Sequence, residues 1–125
     1  MIRNMDLLRK ILIAVEEQYE DTVIYNLQIE GYDRKEVAYH CKILHSGNLI
    51  SNYDGQFADD EIYSFAVGSL TWSGHEFLDK IKSDTVWNKT KKTITEKGLP
   101  VALDVVKDVA SAIITGMTQA AIKGL

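Results

Sequence analysis

A chain of 125 residues with 46% apolar and 26% charged side chains can close one compact core, and it is too apolar for disorder to be its default state. Its 18 acidic against 14 basic residues give a net charge of −4, which weighs against a generic nucleic-acid binder needing a basic surface for phosphates. The single cysteine, Cys41, excludes an internal disulfide and points to a reducing compartment.

The opening residues, Met1-Ile2-Arg3-Asn4-Met5-Asp6, lack the basic start and apolar run of a signal peptide. Asn4 is a suitable N-cap for a first helix that carries Met5, Leu8, Ile11, Leu12 and Val15 on one face and stops near Tyr19. Residues 22–29 are rich in β-branched side chains and partly alternate, which predicts a short strand. A second helix has the strongest local signature in the chain. Asp33 and Glu36 form a capping box, Tyr32 and Val37 occupy the staple positions, and Gly47 is expected to close the helix as a left-handed cap. On a helical wheel Val37, His40, Cys41, Ile43 and Leu44 share one arc; Lys35, Ala38, Tyr39, Lys42, His45 and Ser46 share the other, with Arg34 near its edge.

Two strand-like runs follow, 49–53 and 61–70, flanking a polar, acidic stretch over 54–60 that contains Gly55; together they predict a hairpin with a long tip. Thr71 or Ser73 caps a third helix, with Ser73 and Glu76 as a second capping-box pair and Trp72, Phe77, Leu78 and Ile81 as its apolar side. A fourth helix starts at Asp84 and ends at Gly98. Pro100 is placed in the first turn of a last helix running toward Ile122. The order predicts an α+β fold, a winged-helix-like domain (helix–strand–helix–β-hairpin–helix) over residues 1–82 with a two-helix C-terminal extension over 83–125. In such a domain the second helix is normally the reading element.

Several stretches resemble an uncharacterised family of bacteria and their prophages, domain of unknown function 2513. They are Met5-Asp6-Leu7-Leu8-Arg9-Lys10-Ile11-Leu12, Ile29-Glu30-Gly31-Tyr32, Val37-Ala38-Tyr39-His40, Gly47-Asn48-Leu49-Ile50, residues 70–79 and Trp87-Asn88-Lys89. The resemblance implies a winged-helix-like shape and carries no activity with it. The chain departs from an ordinary winged helix in one respect: no separate positioning helix precedes the reading helix.

The face formed by Arg34, Lys35, Tyr39, Lys42 and His45 is the constellation that suits nucleic acid, with cations for phosphates and a tyrosine for stacking or hydrogen bonding. Lys89, Lys91 and Lys92 would add backbone contacts. An acidic hairpin, with Asp54, Asp59, Asp60 and Glu61, would repel phosphate, so it is, with the apolar last helix, a candidate surface for the alternative function, a non-enzymatic protein–protein interaction module. In the last helix Ala112, Gly116, Ala120 and Gly124 recur every fourth residue beside Val105, Val109, Ile113 and Met117, a seam that would pack on the domain's own first helix or pair with its copy, the homodimer being the expectation. Cys41 and His45, one turn apart, lack the further ligands a metal site needs, and no nucleophile–base–orienter set can be assembled. The expectation is therefore a cytoplasmic regulator or accessory protein of a phage or mobile element. It has no cofactor, no catalytic residue and no membrane contact; its partners are DNA or a protein.

Overall fold

The computed structural model describes all 125 residues, in the order α1 (Met5–Gln18), β1 (Ile24–Tyr25), α2 (Arg34–Ser46), β2 (Tyr53–Ala58), β3 (Glu61–Val67), α3 (Trp72–Ile81), α4 (Asp84–Glu96) and α5 (Leu103–Lys123). The fold is α+β: five helices and one antiparallel sheet of strand order β1-β3-β2. The chain divides into two compact units, Met1–Glu76 and Phe77–Leu125, with the division inside α3.

In the first unit α1 starts where the sequence places it, because the Asn4 side chain accepts the Leu7 N–H at 3.1 Å. Leu7, Leu8, Ile11, Leu12 and Val15 are buried and α1 packs on α2. His40 ties the two helices together. Its Nδ1 donates to the Glu36 carbonyl at 2.8 Å, leaving Nε2 to accept the Asn4 N–H at 2.9 Å, which uses the neutral imidazole.

The start of α2 follows the expected cap, with Asp33 Oδ1 accepting the Glu36 N–H at 2.8 Å. Its end does not. Gly47 has φ −83°, and the left-handed residue is Asn48 (φ 62°). The Leu49 N–H then reaches back to the Leu44 carbonyl at 2.9 Å. Asparagine tolerates this conformation because its side chain is short and polar.

Strand β1 is only two residues long, since Asn26 turns into the left-handed region (φ 51°) and ends it. Asn26 still continues the ladder in effect: its N–H donates to the Phe65 carbonyl at 2.8 Å and its Oδ1 accepts the Phe65 N–H at 2.9 Å.

The hairpin corrects the sequence reading most. Residues 54–58 are strand, not loop, and the tip is the pair Asp59-Asp60, both at positive φ (52° and 64°). That is the geometry of a two-residue type I′ turn, whose twist matches its strands. Of the predicted strand 49–53, Ile50 makes a single bridge to Leu70 and only Tyr53 joins β2. Thr71, not Ser73, caps α3: its Oγ1 accepts the Gly74 N–H at 2.9 Å and donates to the Asn48 carbonyl at 2.6 Å. Trp72, assigned to the apolar side of that helix, is 80% exposed.

In the second unit α4 and α5 pack side by side. As expected, α4 starts at Asp84, with Ser83 as its cap, and Gly98 (φ 63°) closes it in the left-handed conformation. Pro100 lies outside α5, which begins at Leu103 after an Ala102 cap position. The residues of α5 that are buried are Val106 and Ala110, one position on from Val105 and Val109. By length and composition α5 would be able to cross a membrane; little of it is buried.

Candidate functional site

Lys35, Tyr39, Lys42 and Ser46 are spaced i, i+4, i+7 and i+11, so they form one strip along α2. Opposite this strip stands one face of the hairpin. Side chains alternate along a strand, so Tyr53, Gly55 and Phe57 share a face, while Asp54 and Gln56 point away and bond to each other at 3.3 Å. On β3 the register shifts between Gln56 and Phe57, which pairs Phe57 with Ile62 instead of Tyr63. The bulge therefore puts Ile62 on the apolar face and sends Tyr63 outward.

Between strip and hairpin lies an open groove of about 320 Å³. Ala38 and Ile43 of α2 contribute to its walls with Tyr53, Phe57 and Ile62 of the hairpin. Gly55 belongs to this face: a methyl group there would meet the Tyr53 hydroxyl at 2.8 Å and Ile62 at 3.3 Å, so glycine is what lets the Tyr53 ring lie across the strand. The Tyr53 ring also stacks on Phe65 with centroids 6.3 Å apart. Tyr53 titrates above its ordinary range, through burial first and then the charges of Cys41 and Asp54. Lys35 and Lys42 are the ionisable side chains of α2 that line the groove with Tyr39, and no carboxylate lines it.

Arg34 sits off the strip: its Nη1 donates to the Tyr63 carbonyl at 2.6 Å, bracing α2 on β3. His45 is exposed at the C-terminal end of α2, whereas Cys41 is in the interior, its thiol pushed up to about 12 by burial. Asp54, Asp59, Asp60 and Glu61 are all exposed on the hairpin. In the second unit Lys89 is exposed, Lys91 lies 5.6 Å over the Trp87 ring and Lys92 pairs with Glu96 at 3.9 Å. Along α5, Val105, Val109 and Ile113 are not fully buried, while Ala112, Gly116, Met117 and Ala120 lie further along the helix, away from its buried residues Val106 and Ala110. No group of three or more His, Cys, Asp or Glu side chains comes together as a metal site would require. His75 faces α1, with its Nδ1 3.7 Å from Glu16.

The hairpin half of the groove was missed by sequence reasoning. Its signal was present, as Tyr53-x-Gly55-x-Phe57 has the period of a strand, but Asp54 and Gly55 are poor strand formers and pointed to a loop.

Among known families, the one described as Hypothetical protein (DUF2513) matches residues 2–100, which reach past α4 and stop short of α5. The chain is 43% identical over 118 residues to an "Uncharacterized protein" of Haemophilus influenzae, an alignment covering 94% of this chain and 98% of that one. No solved structure matches it.

Proposed function

The chain belongs to the family of hypothetical proteins DUF2513, and we propose that it acts as a winged-helix-like DNA-binding regulator or accessory protein without enzymatic activity. The observation that carries this reading is the solvent strip of α2. In a chain of net charge −4 it presents Lys35, Tyr39, Lys42 and Ser46 with no acid among them. The strand order β1-β3-β2, with the β2–β3 hairpin beside α2 as a wing, supports the same reading. Lys35 and Lys42, two turns apart, suit neighbouring phosphates along a groove, and Tyr39 lies between them for a base or sugar contact.

The test is fluorescence anisotropy on a mixed-sequence duplex at low and moderate salt. Binding should weaken with salt, and Lys35→Ala with Lys42→Ala should reduce the slope of log K against log salt by about 2, one for each phosphate no longer neutralised. An unchanged slope places the DNA elsewhere, and no binding even at low salt removes the reading.

A second reading rests on the hairpin tip. Asp59, Asp60 and Glu61 there, with Asp54 further back on β2, accompany Tyr63 and Phe57, which are 55% and 63% exposed. Exposed aromatics beside a charged turn are the composition of a protein-binding surface.

A further inference from the structure

We infer that the groove between α2 and the hairpin is a binding site for a small apolar anion, an aromatic carboxylate of one or two rings. The volume of about 320 Å³ lies at the lower end of small-molecule sites, which run roughly 300–1,000 Å³, so it admits a ring system and not a peptide helix. Its walls specify the body of the ligand. The Tyr39, Tyr53 and Phe57 rings, with Ile43 and Ile62, offer flat and aliphatic surface on both sides.

Its charges specify the head. Every acid of the hairpin points away or sits at the tip: Asp54 is on the opposite face by strand alternation, and Asp59, Asp60 and Glu61 surround the turn. What remains at the groove is Lys35 and Lys42 on one rim, with the Tyr39 and Tyr53 hydroxyls as further hydrogen-bond donors; the Ser46 hydroxyl already donates to the Lys42 carbonyl at 3.1 Å. In a chain of net charge −4 an apolar slot whose only charged side chains are cations selects an acid over a neutral or basic molecule of the same shape. Gly55 is part of the design, because any side chain there would lift the Tyr53 ring into the slot.

The site uses the residues that the DNA reading also uses, so where that reading holds the ligand competes with DNA and the domain becomes ligand-responsive. The binding itself is measured without DNA, and the two readings stand or fall separately.

The experiment is an amide-resonance titration of the full-length protein with 2-naphthoate and, in parallel, with its neutral counterpart 2-naphthalenemethanol. Saturable shifts for the carboxylate, confined to α2 and the β2–β3 face and with Kd on the order of 0.1–1 mM for so small a ligand, are expected. The alcohol should bind at least tenfold more weakly. Lys35→Glu with Lys42→Glu should remove that preference, and Ser46→Trp, an exposed position at the rim, should block both ligands. No saturable shifts, shifts centred outside the groove, or equal affinity for acid and alcohol would each overturn the proposal. The acid–alcohol comparison uses the unaltered protein, so it decides the question even if a variant fails to fold.

Discussion

Cys41 shows how a single buried atom sets a property of the whole chain. Burial pushes its thiol from 9.0 up to about 12, because the thiolate is the form that loses its water. The sign follows from that. As pH rises past 9 the unfolded chain releases the thiol proton while the folded chain keeps it, so stability is intact below about pH 9 and falls between about 9 and 12. The limiting slope is about 1.4 kcal/mol per pH unit. Urea unfolding at pH 8 and pH 10 should show the wild type losing about 1 kcal/mol more than Cys41→Ala over that interval. Equal losses would mean that the thiol ionises in the fold. Tyr53, also raised, is common to both proteins and largely cancels in the comparison. The position was legible in sequence, since Cys41 falls on the apolar arc of α2 with Val37, His40 and Leu44, and all four are buried. Ala38 was not: it lies on the polar side of the wheel and is buried because the hairpin comes up beside α2. Tertiary covering of this kind leaves no mark in a helical period.

At the scale of elements, what decides the fold is how closely backbones approach. Gly74 illustrates it. A methyl group at this helical position would collide with the Leu49 carbonyl and touch Leu70 at 3.4 Å, so α3 leans directly on the segment leaving α2. Alanine is the better helix former by about 1 kcal/mol, yet Gly74→Ala should destabilise by about 1–3 kcal/mol, as overpacking does when the obstacle is backbone. The measure is a lowered urea midpoint at unchanged slope, with the exposed neighbour Ser73→Ala near zero as control. A gain in stability at Gly74 would mean that the approach is looser than the structure has it. Helices were legible because their caps are local: Asn4, Asp33 and Gly98 each act at the position where the sequence puts them. The hairpin was less so. Its tip contains no glycine, and two consecutive aspartates in the left-handed region are an uncommon way to make a type I′ turn. With the turn misplaced, β2 went unrecognised, and the hairpin half of the groove with it.

For the molecule as a whole the open question is what covers α5. The helix has 21 residues, and its charges Asp104, Lys107 and Asp108 are confined to the first two turns, with Lys123 at the end. The uncharged run between them, residues 109–122, is fourteen residues long. At 1.5 Å per residue the uncharged run rises about 21 Å, so spanning the roughly 30 Å hydrocarbon core of a bilayer would draw in the whole helix, with the charges of its first two turns. Burial of Val106 and Ala110, with α4 packed alongside, commits the charged end of the helix to the protein. A second copy of the chain suits the remainder better. Ala112, Gly116 and Ala120 leave room for close approach, and Met117 at 42% and Ile122 at 62% exposure supply apolar surface to bury. Each such side chain contributes about 1.5–3 kcal/mol before the cost of association. Sedimentation equilibrium at micromolar concentration should then return twice the chain mass, and Met117→Glu should return it to one. A wild type that sediments as a monomer in buffer, and floats with lipid vesicles instead, would hand α5 to the membrane surface.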